Sequence, residues 1–268
     1  MINLVIQNPY SLVPKDILLL NGMGQIILGL FLTILTILFL RKYRTKKTKA
    51  LLFLSIGYLS LSIAIWLGGL SQVISYLEYD AIDPNPLVAG LPLIILDARW
   101  PLFNMAYQLA MVSNIFMMFF IYNVFQNPKR IYYNIYYIIA VIFILFSAYW
   151  GIFVYGIEKN FSPEESSVGP FGVIFFISLN LLVYLNFLIN AYRTSTVTNE
   201  PVAKKGLQMM TFSCILIMVF LVVFAINGFF VLNLEFIPWT IATIALLFVY
   251  IGYVMPNWFV NRIKQQEQ

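Results

Sequence analysis

Residues 17–40 read ILLLNGMGQIILGLFLTILTILFL, and residues 41–49, which follow directly, read RKYRTKKTK. The first stretch contains no charged residue and exceeds the roughly 20 residues that a helix needs to cross the hydrocarbon core of a bilayer. The second stretch carries six basic residues. Because Lys and Arg accumulate on the cytoplasmic side of membrane spans, this order predicts a span whose C-terminal end faces the cytoplasm.

The composition of the whole chain fits this prediction. Of its 268 residues, 61% are hydrophobic and 10% are charged, and the mean hydropathy is +0.86. An ordinary soluble domain is about 45–50% apolar and about 25% charged. Such a chain cannot cover itself with polar surface, so we expect a multi-pass protein of the cell membrane, with the lipid bilayer as its surroundings.

Breaks between apolar runs divide the chain into seven predicted spans, which make one all-α membrane domain over residues 1–268. The predicted spans cover residues 17–40, 51–77, 100–125, 131–157, 170–191, 207–231 and 236–256. Together with short connections, seven spans of about 20 residues account for the chain length. We therefore expect a seven-transmembrane-helix bundle.

The distribution of charge predicts the orientation of this bundle. Thirteen of the 16 basic residues lie on the side that holds the first, third and fifth connections and the C-terminal tail, whereas nine of the 11 acidic residues lie on the other side. The positive-inside rule then places the N-terminus outside and the C-terminus in the cytoplasm. Since topology explains the net charge of +5, no nucleic-acid partner is expected. We also expect no cleaved signal peptide, because the positive charge follows the first span.

The residues that are missing from the spans exclude several kinds of chemistry. The chain has no histidine and a single cysteine, Cys214, so we expect no disulfide, no histidine-ligated metal or haem, and no cofactor. All 27 charged residues fall in loops, tails or the ends of spans. Proton pumps, voltage sensors and carboxylate-coupled transporters need charge inside the membrane. The last span has no lysine for a retinal Schiff base, and an enzyme is not expected.

Uncharged polar side chains collect instead in the predicted outer half of the spans. Asn21 and Gln25 share one helix face, and Asn104 and Gln108 share another. Two interpretations are open: a pocket for an uncharged or amphipathic small ligand, or hydrogen bonds between helices. The candidate ligand-binding residues are Asn21, Gln25, Gln72, Asn104, Tyr107, Gln108, Asn227 and Thr243.

A ridge of small residues runs along the second predicted span. Ser60, Ala64 and Gly68 recur at four-residue spacing, which lets another helix backbone approach closely. The neighbour is either another helix of the same bundle or a second copy of the chain, which leaves a homodimer as an alternative.

The connection before the sixth span predicts a contact surface for a cytoplasmic signalling partner. Asn199 or Glu200 is suited to cap a helix, and Pro201 is tolerated in its first turn. We therefore expect this helix to begin in the cytoplasm, before the span itself. The candidate partner-contact residues are Arg193, Lys204 and Lys205.

Three segments carry a resemblance to a known class of protein. They are the run Leu51–Gly69, the sequence FFIYNVF at residues 119–125, and the sequence KKGLQ at residues 204–208 after a basic connection. With the seven-span topology, these segments resemble the seven-helix membrane region of some microbial histidine kinases and related signalling proteins. The resemblance implies a sensor. Unlike those proteins, the chain shows no output domain after its last span, so we expect a separate signalling partner.

The sequence thus favours a heptahelical sensor that binds a small ligand in its outer half and signals to a cytoplasmic partner. The alternative is a carrier, a channel or a subunit of a membrane complex, with neutral or lipid-like cargo. The charge-free spans permit this alternative, although we see no inverted repeat and no pair of broken helices, which carriers often contain.

Overall fold

A computed structural model describes residues 15–81, 99–125, 138, 141–142, 170–229 and 236–266. Over these ranges the protein is helical, with short turns. The helices are α1 (Lys15–Lys46), α2 (Lys49–Ala81), α3 (Arg99–Phe125), α4 (Pro170–Val197), α5 (Pro201–Phe229), α6 (Phe236–Val254) and α7 (Asn257–Gln266). The predicted fourth span, 131–157, lies outside the described residues except for residues 138, 141 and 142, which are helical.

Five helices in the described part of the chain are long and apolar enough to cross a membrane: α1, α2, α3, α5 and α6. The protein is thus a helical membrane protein, and its apolar helices are suited to a lipid bilayer.

The helices extend beyond the predicted spans at the ends where basic residues gather. Helix α1 continues through the basic stretch to Lys46, and α5 begins at Pro201, six residues before the predicted span. A helix satisfies its own backbone hydrogen bonds, so it can continue past the lipid into water without a penalty for exposed peptide groups. The start of α5 at Pro201 agrees with the prediction from its capping residues.

Helices α1 to α6 form a closed ring in chain order. Each packs against the next, α6 packs back against α1, and α7 contacts α5. Tyr58 of α2 lies at the centre of the ring and donates a hydrogen bond from its hydroxyl to the Leu246 carbonyl oxygen of α6, at 2.6 Å. The ring of Phe39 from α1 lies 4.7 Å from that of Tyr58, edge to face. These contacts join α1, α2 and α6 around one buried aromatic pair.

Contacts between helix ends place the described basic residues at one end of the ring. The Tyr253 side chain of α6 lies close to the Thr48 side chain in the turn between α1 and α2. The Tyr253 ring also lies 4.9 Å from that of Phe120 in α3, and the Phe120 ring lies 5.7 Å from that of Phe187 in α4. We call this end the basic end. Its described basic residues are Arg41, Lys42, Arg44, Lys46, Lys47, Lys49, Arg193, Lys204, Lys205, Arg262 and Lys264.

Glycines allow two pairs of helices to approach backbone to backbone. A Cβ added to Gly252 of α6 would lie 2.5 Å from the carbonyl oxygen of Gly206 in α5. A Cβ added to Gly69 of α2 would lie 3.0 Å from the carbonyl oxygen of Gly22 in α1. The first distance is too short for any side chain, so glycine is required at the α5–α6 crossing, and a side chain at Gly69 would force the backbones of α1 and α2 to shift by a few tenths of an ångström.

The small-residue ridge of α2 faces the interior of this bundle. Its members Ser60 and Ala64 are buried, and so is Gln72, one turn beyond the ridge. The Gln25 side chain of α1 lies against Gly68. The ridge therefore serves the packing of one chain, which is the first of the two alternatives that the sequence left open.

Candidate functional site: a buried polar cavity

A small cavity lies inside the ring and is bounded by α2, α3, α4, α5 and α6. Its volume is about 20 Å³. Its polar lining consists of Ser113, Asn114, Asn180 and Tyr184, and its apolar lining consists of Leu61, Ala110, Ile217, Phe220, Trp239, Ala242 and Leu246. Five helices thus meet around one uncharged polar centre.

A hydrogen bond between two amide side chains crosses the cavity wall. Asn114 of α3 donates from Nδ2 to Oδ1 of Asn180 in α4, at 2.9 Å, and both residues are buried. Asn is a weak helix former, so neither residue stabilises its helix through helix propensity. A hydrogen bond of this kind between membrane helices contributes about 0.6 kcal/mol on average, and at most about 1.7 kcal/mol. The pair joins α3 to α4 and gives the cavity its polarity.

An aromatic cluster covers the cavity on the side away from the basic end. The Trp239 ring, in the first turn of α6, lies 5.4 Å from that of Phe220 and 6.3 Å from that of Phe224, both on α5. Phe220 lines the cavity, and Phe224 lies one turn farther from the basic end. Aromatic contacts at these distances are favourable beyond the area they bury. The cluster therefore joins α5 to α6 beside the polar centre.

The size of the cavity limits what it can hold in this arrangement of helices. A volume of about 20 Å³ has room for one water molecule. Sites for small organic ligands usually measure about 300–1,000 Å³. A larger ligand can enter only if the surrounding helices move apart.

The described ranges offer no candidate metal site. They contain no group of three or more histidine, cysteine, aspartate or glutamate side chains that could hold a metal ion. The cavity offers only neutral amide and hydroxyl groups, which suit hydrogen bonding to an uncharged molecule.

Three of the predicted ligand residues are buried where α1, α2 and α6 meet. Asn21, Gln25 and Gln72 are 1%, 2% and 3% exposed. The Asn21 Oδ1 atom accepts a long hydrogen bond of 3.4 Å from the backbone N–H of Phe236, the first residue of α6. The antiparallel register that sets Gln25 against Gly68 brings Gln72 to the level of Asn21. These three amides therefore lie together and connect helices.

The remaining predicted ligand residues are more scattered. Thr243 is buried and donates to the Trp239 carbonyl oxygen of its own helix, at 2.9 Å. Tyr107, Gln108 and Asn227 are half-buried on α3 and α5. The side chain of Asn104 lies outside the described atoms. None of the other seven predicted residues lines the cavity.

The polar residues that do line the cavity were missed in the sequence. Asn114 and Asn180 lie in the middle of apolar runs, and Tyr184 follows Asn180 at four-residue spacing. The signal that singled out Asn21 and Gln25, a polar residue at helical spacing within a span, also marks this pair. Residues at the outer ends of the spans were predicted instead, because polar residues cluster there more densely.

The predicted partner-contact residues are accessible at the basic end. Arg193, Lys204 and Lys205 are all exposed. Lys204 and Lys205 belong to the first turns of α5, where the Lys204 backbone N–H donates to the Glu200 carbonyl oxygen at 2.9 Å. A partner could reach these side chains without disturbing the core.

Comparison with known proteins adds no relative to these observations: no protein-family model, no curated protein and no solved structure matches the chain.

Proposed function

We propose that the protein is a heptahelical membrane sensor that binds an uncharged or amphipathic small molecule and signals to a separate cytoplasmic protein. The observation that carries the proposal is the small cavity between five helices, which is uncharged and sets the Asn114–Asn180 pair beside an apolar wall. A cavity that holds only one water in this state admits a ligand only in a second, wider arrangement of helices. A ligand that binds one arrangement better than the other shifts their populations, and this shift is the signal.

The topology of the proposal rests on charge. Seven crossings include residues 131–157, with the N-terminus outside and the C-terminus in the cytoplasm. The described basic residues, apart from Lys15 and Arg99, gather at one end of the ring, as this orientation requires. The cavity then lies near the middle of the membrane, since Ile217 and Phe220 fall close to the midpoint of the predicted span 207–231.

Helix α5 supplies the route from the cavity to the cytoplasm. Ile217 and Phe220 line the cavity, and Gly206 lies against α6 eleven residues earlier than Ile217, which is about 16 Å along the helix. Beyond Gly206, the exposed Lys204 and Lys205 form the surface offered to the partner. Since a helix moves as a rigid body, displacement of α5 at the cavity moves this surface.

Ligand binding can be tested through the single cysteine of the chain. Cys214 is buried, so a thiol-reactive fluorogenic dye reports unfolding of the purified protein. Uncharged and amphipathic small molecules are screened for a rise in Tm. A ligand at 100 times its Kd stabilises the folded state by about 2.7 kcal/mol. That corresponds to a rise of about 5–10 °C for a protein of this size.

A matched pair of variants locates the site of binding. Asn114→Leu removes an amide from the cavity and should abolish the ligand-induced rise. Asn123→Leu is the control. The Asn123 Nδ2 atom donates to the Phe119 carbonyl oxygen of the same helix, at 2.7 Å, so this variant should keep the ligand-induced rise in Tm. The proposal fails if no compound raises the Tm, or if both variants lose the response equally. Uptake of the binding compound into reconstituted vesicles would favour a carrier instead.

A further inference from the structure

A second cavity lies on the outer surface of the ring, between α4 and α5 near the basic end. It is a groove of about 450 Å³, and we call it the α4–α5 groove. Three of its side chains are large and exposed: Tyr192, Phe212 and Ile215 are 59%, 45% and 46% exposed. Because α5 crosses the membrane, this outer face of the groove lies against lipid.

The groove is polar near the basic end and becomes apolar farther along α5. Lys204 and Gln208 lie nearest the basic end, and Phe212 and Ile215 follow one and two turns deeper. From Lys204 to Ile215 the helix advances about 16 Å, which is close to half of the roughly 30 Å hydrocarbon core. The groove therefore runs from the membrane surface toward the bilayer midplane, polar at one end and apolar at the other. A lipid of one leaflet has the same polarity and the same length.

The polar end is suited to an anion. Ser195, Thr196 and Thr211 each donate their hydroxyl hydrogen to a carbonyl oxygen of their own helix, at 2.7–2.9 Å. The nitrogen donors that face the groove are then the Lys204 ammonium and the Gln208 amide. Lys204 also lies in the first turn of α5, where the helix dipole favours negative charge.

We propose that the α4–α5 groove is a binding site for an anionic phospholipid. Its phosphodiester binds Lys204 and Gln208, and the upper part of one acyl chain packs along Phe212 and Ile215. Tyr192 lies at the headgroup level, where tyrosine is enriched in membrane proteins. Basic pockets between helices on the cytoplasmic side are the kind of site that selects anionic headgroups. This site is independent of the central cavity and does not rest on the sensor proposal.

The test measures lipid selectivity on the full-length protein in detergent. Native mass spectrometry counts phosphatidylglycerol and phosphatidylcholine molecules retained from equimolar mixtures. We expect the wild type to prefer phosphatidylglycerol. Lys204→Gln should lower this preference about fivefold, which corresponds to about 1 kcal/mol for one basic residue near the surface.

Lys205→Gln is the matched control, because it removes the same charge from the adjacent exposed residue, which does not line the groove. It should leave the preference unchanged. Equal losses in the two variants would mean that general surface charge attracts the lipid, and would overturn the proposal. Competition by glycerophosphate or inorganic phosphate at the same concentration as the lipid would also overturn it, since the site would then bind a free anion. The proposal would also be overturned if Lys204→Gln retained the two lipids at the wild-type ratio.

Discussion

The backbone contact between Gly206 of α5 and Gly252 of α6 offers a sharp test of the fold. In the variant Gly252→Ala, the new Cβ would lie 2.5 Å from the Gly206 carbonyl oxygen and 2.9 Å from Cγ of Met210. Ordinary van der Waals contact begins near 3.4 Å, so α5 and α6 must separate by several tenths of an ångström. The first contact is with backbone, and no rotation of a side chain can relieve it.

The magnitude follows from two opposing contributions. Overpacking of this kind costs about 1–3 kcal/mol, and a backbone contact lies at the upper end of that range. Replacing a helical glycine by alanine returns about 1 kcal/mol. We therefore expect Gly252→Ala to lower the free energy of unfolding by about 1–2 kcal/mol. The Tm measured with the thiol-reactive dye on Cys214 should fall by about 3–6 °C.

Gly57→Ala is the control, because its Cβ would meet ordinary contacts of 3.4 Å to the Phe116 Cβ and the Ser113 carbonyl oxygen. This variant gains the helix propensity without the clash, so its Tm should stay level or rise by about 2–4 °C. If Gly252→Ala is as stable as Gly57→Ala, α5 and α6 do not touch backbone to backbone, and the assignment of this crossing is refuted.

Two further predictions concern single residues that conflict with local rules. Lys47 has a φ of 50°, which is unfavourable for a residue with a side chain. Lys47→Gly should therefore raise the Tm by about 2–4 °C. Arg41→Gly, inside the exposed part of α1, should lower the Tm by a similar amount. Among the described residues, the buried Ser213 hydroxyl has no hydrogen-bond partner; Ser213→Ala should therefore be about 1 kcal/mol more favourable than Ser55→Ala, which removes a buried hydroxyl that donates within its helix at 2.6 Å. Circular dichroism is the suitable measurement for the second pair, since Ser213 neighbours the reporter Cys214, and equal Tm changes within either pair would contradict its reasoning.

The helices themselves were predictable from the sequence because lipid imposes simple rules. Apolar runs of about 20 residues must be helical, since backbone groups have no other partner in a bilayer. The runs that begin at Ile17 and Leu51 therefore became α1 and α2. The ends of helices were less predictable, because Arg41–Lys46 can continue a helix in water as readily as end it. Propensity alone does not place the turn at Lys47.

The packing of the helices could be predicted only in part. The four-residue spacing of Ser60, Ala64 and Gly68 indicated a close helix–helix approach, but spacing alone does not identify the partner helix. The Gly206–Gly252 crossing involves two residues that are 46 positions apart and that share no local pattern. Contacts of this kind depend on the order of helices around the ring, and a single sequence does not contain that order in readable form.

Uncharged polar side chains between the helices were predicted as a kind of residue, whereas the residues that line the cavity were not identified. The absence of charge in the spans predicted a neutral polar interior, and the Asn114–Asn180 pair provides one. The predicted amides Asn21, Gln25 and Gln72 are also buried, but they lie where α1, α2 and α6 meet. Which amides face a cavity depends on the rotation of each helix about its axis. An apolar span carries little information on that rotation, because its lipid-facing and core-facing sides have similar composition.

Helix α5 contributes residues to both proposed sites. Its inward face carries Gly206 and Phe220, and its outward face carries Lys204 and Phe212. If a ligand widens the central cavity by turning α5 about its close contact at Gly206, the outward face of that helix turns with it. Turning the helix changes the α4–α5 groove on its other face. If the widened state holds the anionic lipid more weakly, then the lipid must weaken the ligand by the same factor, because coupling between two sites is reciprocal. The lipid composition of the membrane would then change the affinity of the central cavity for a ligand.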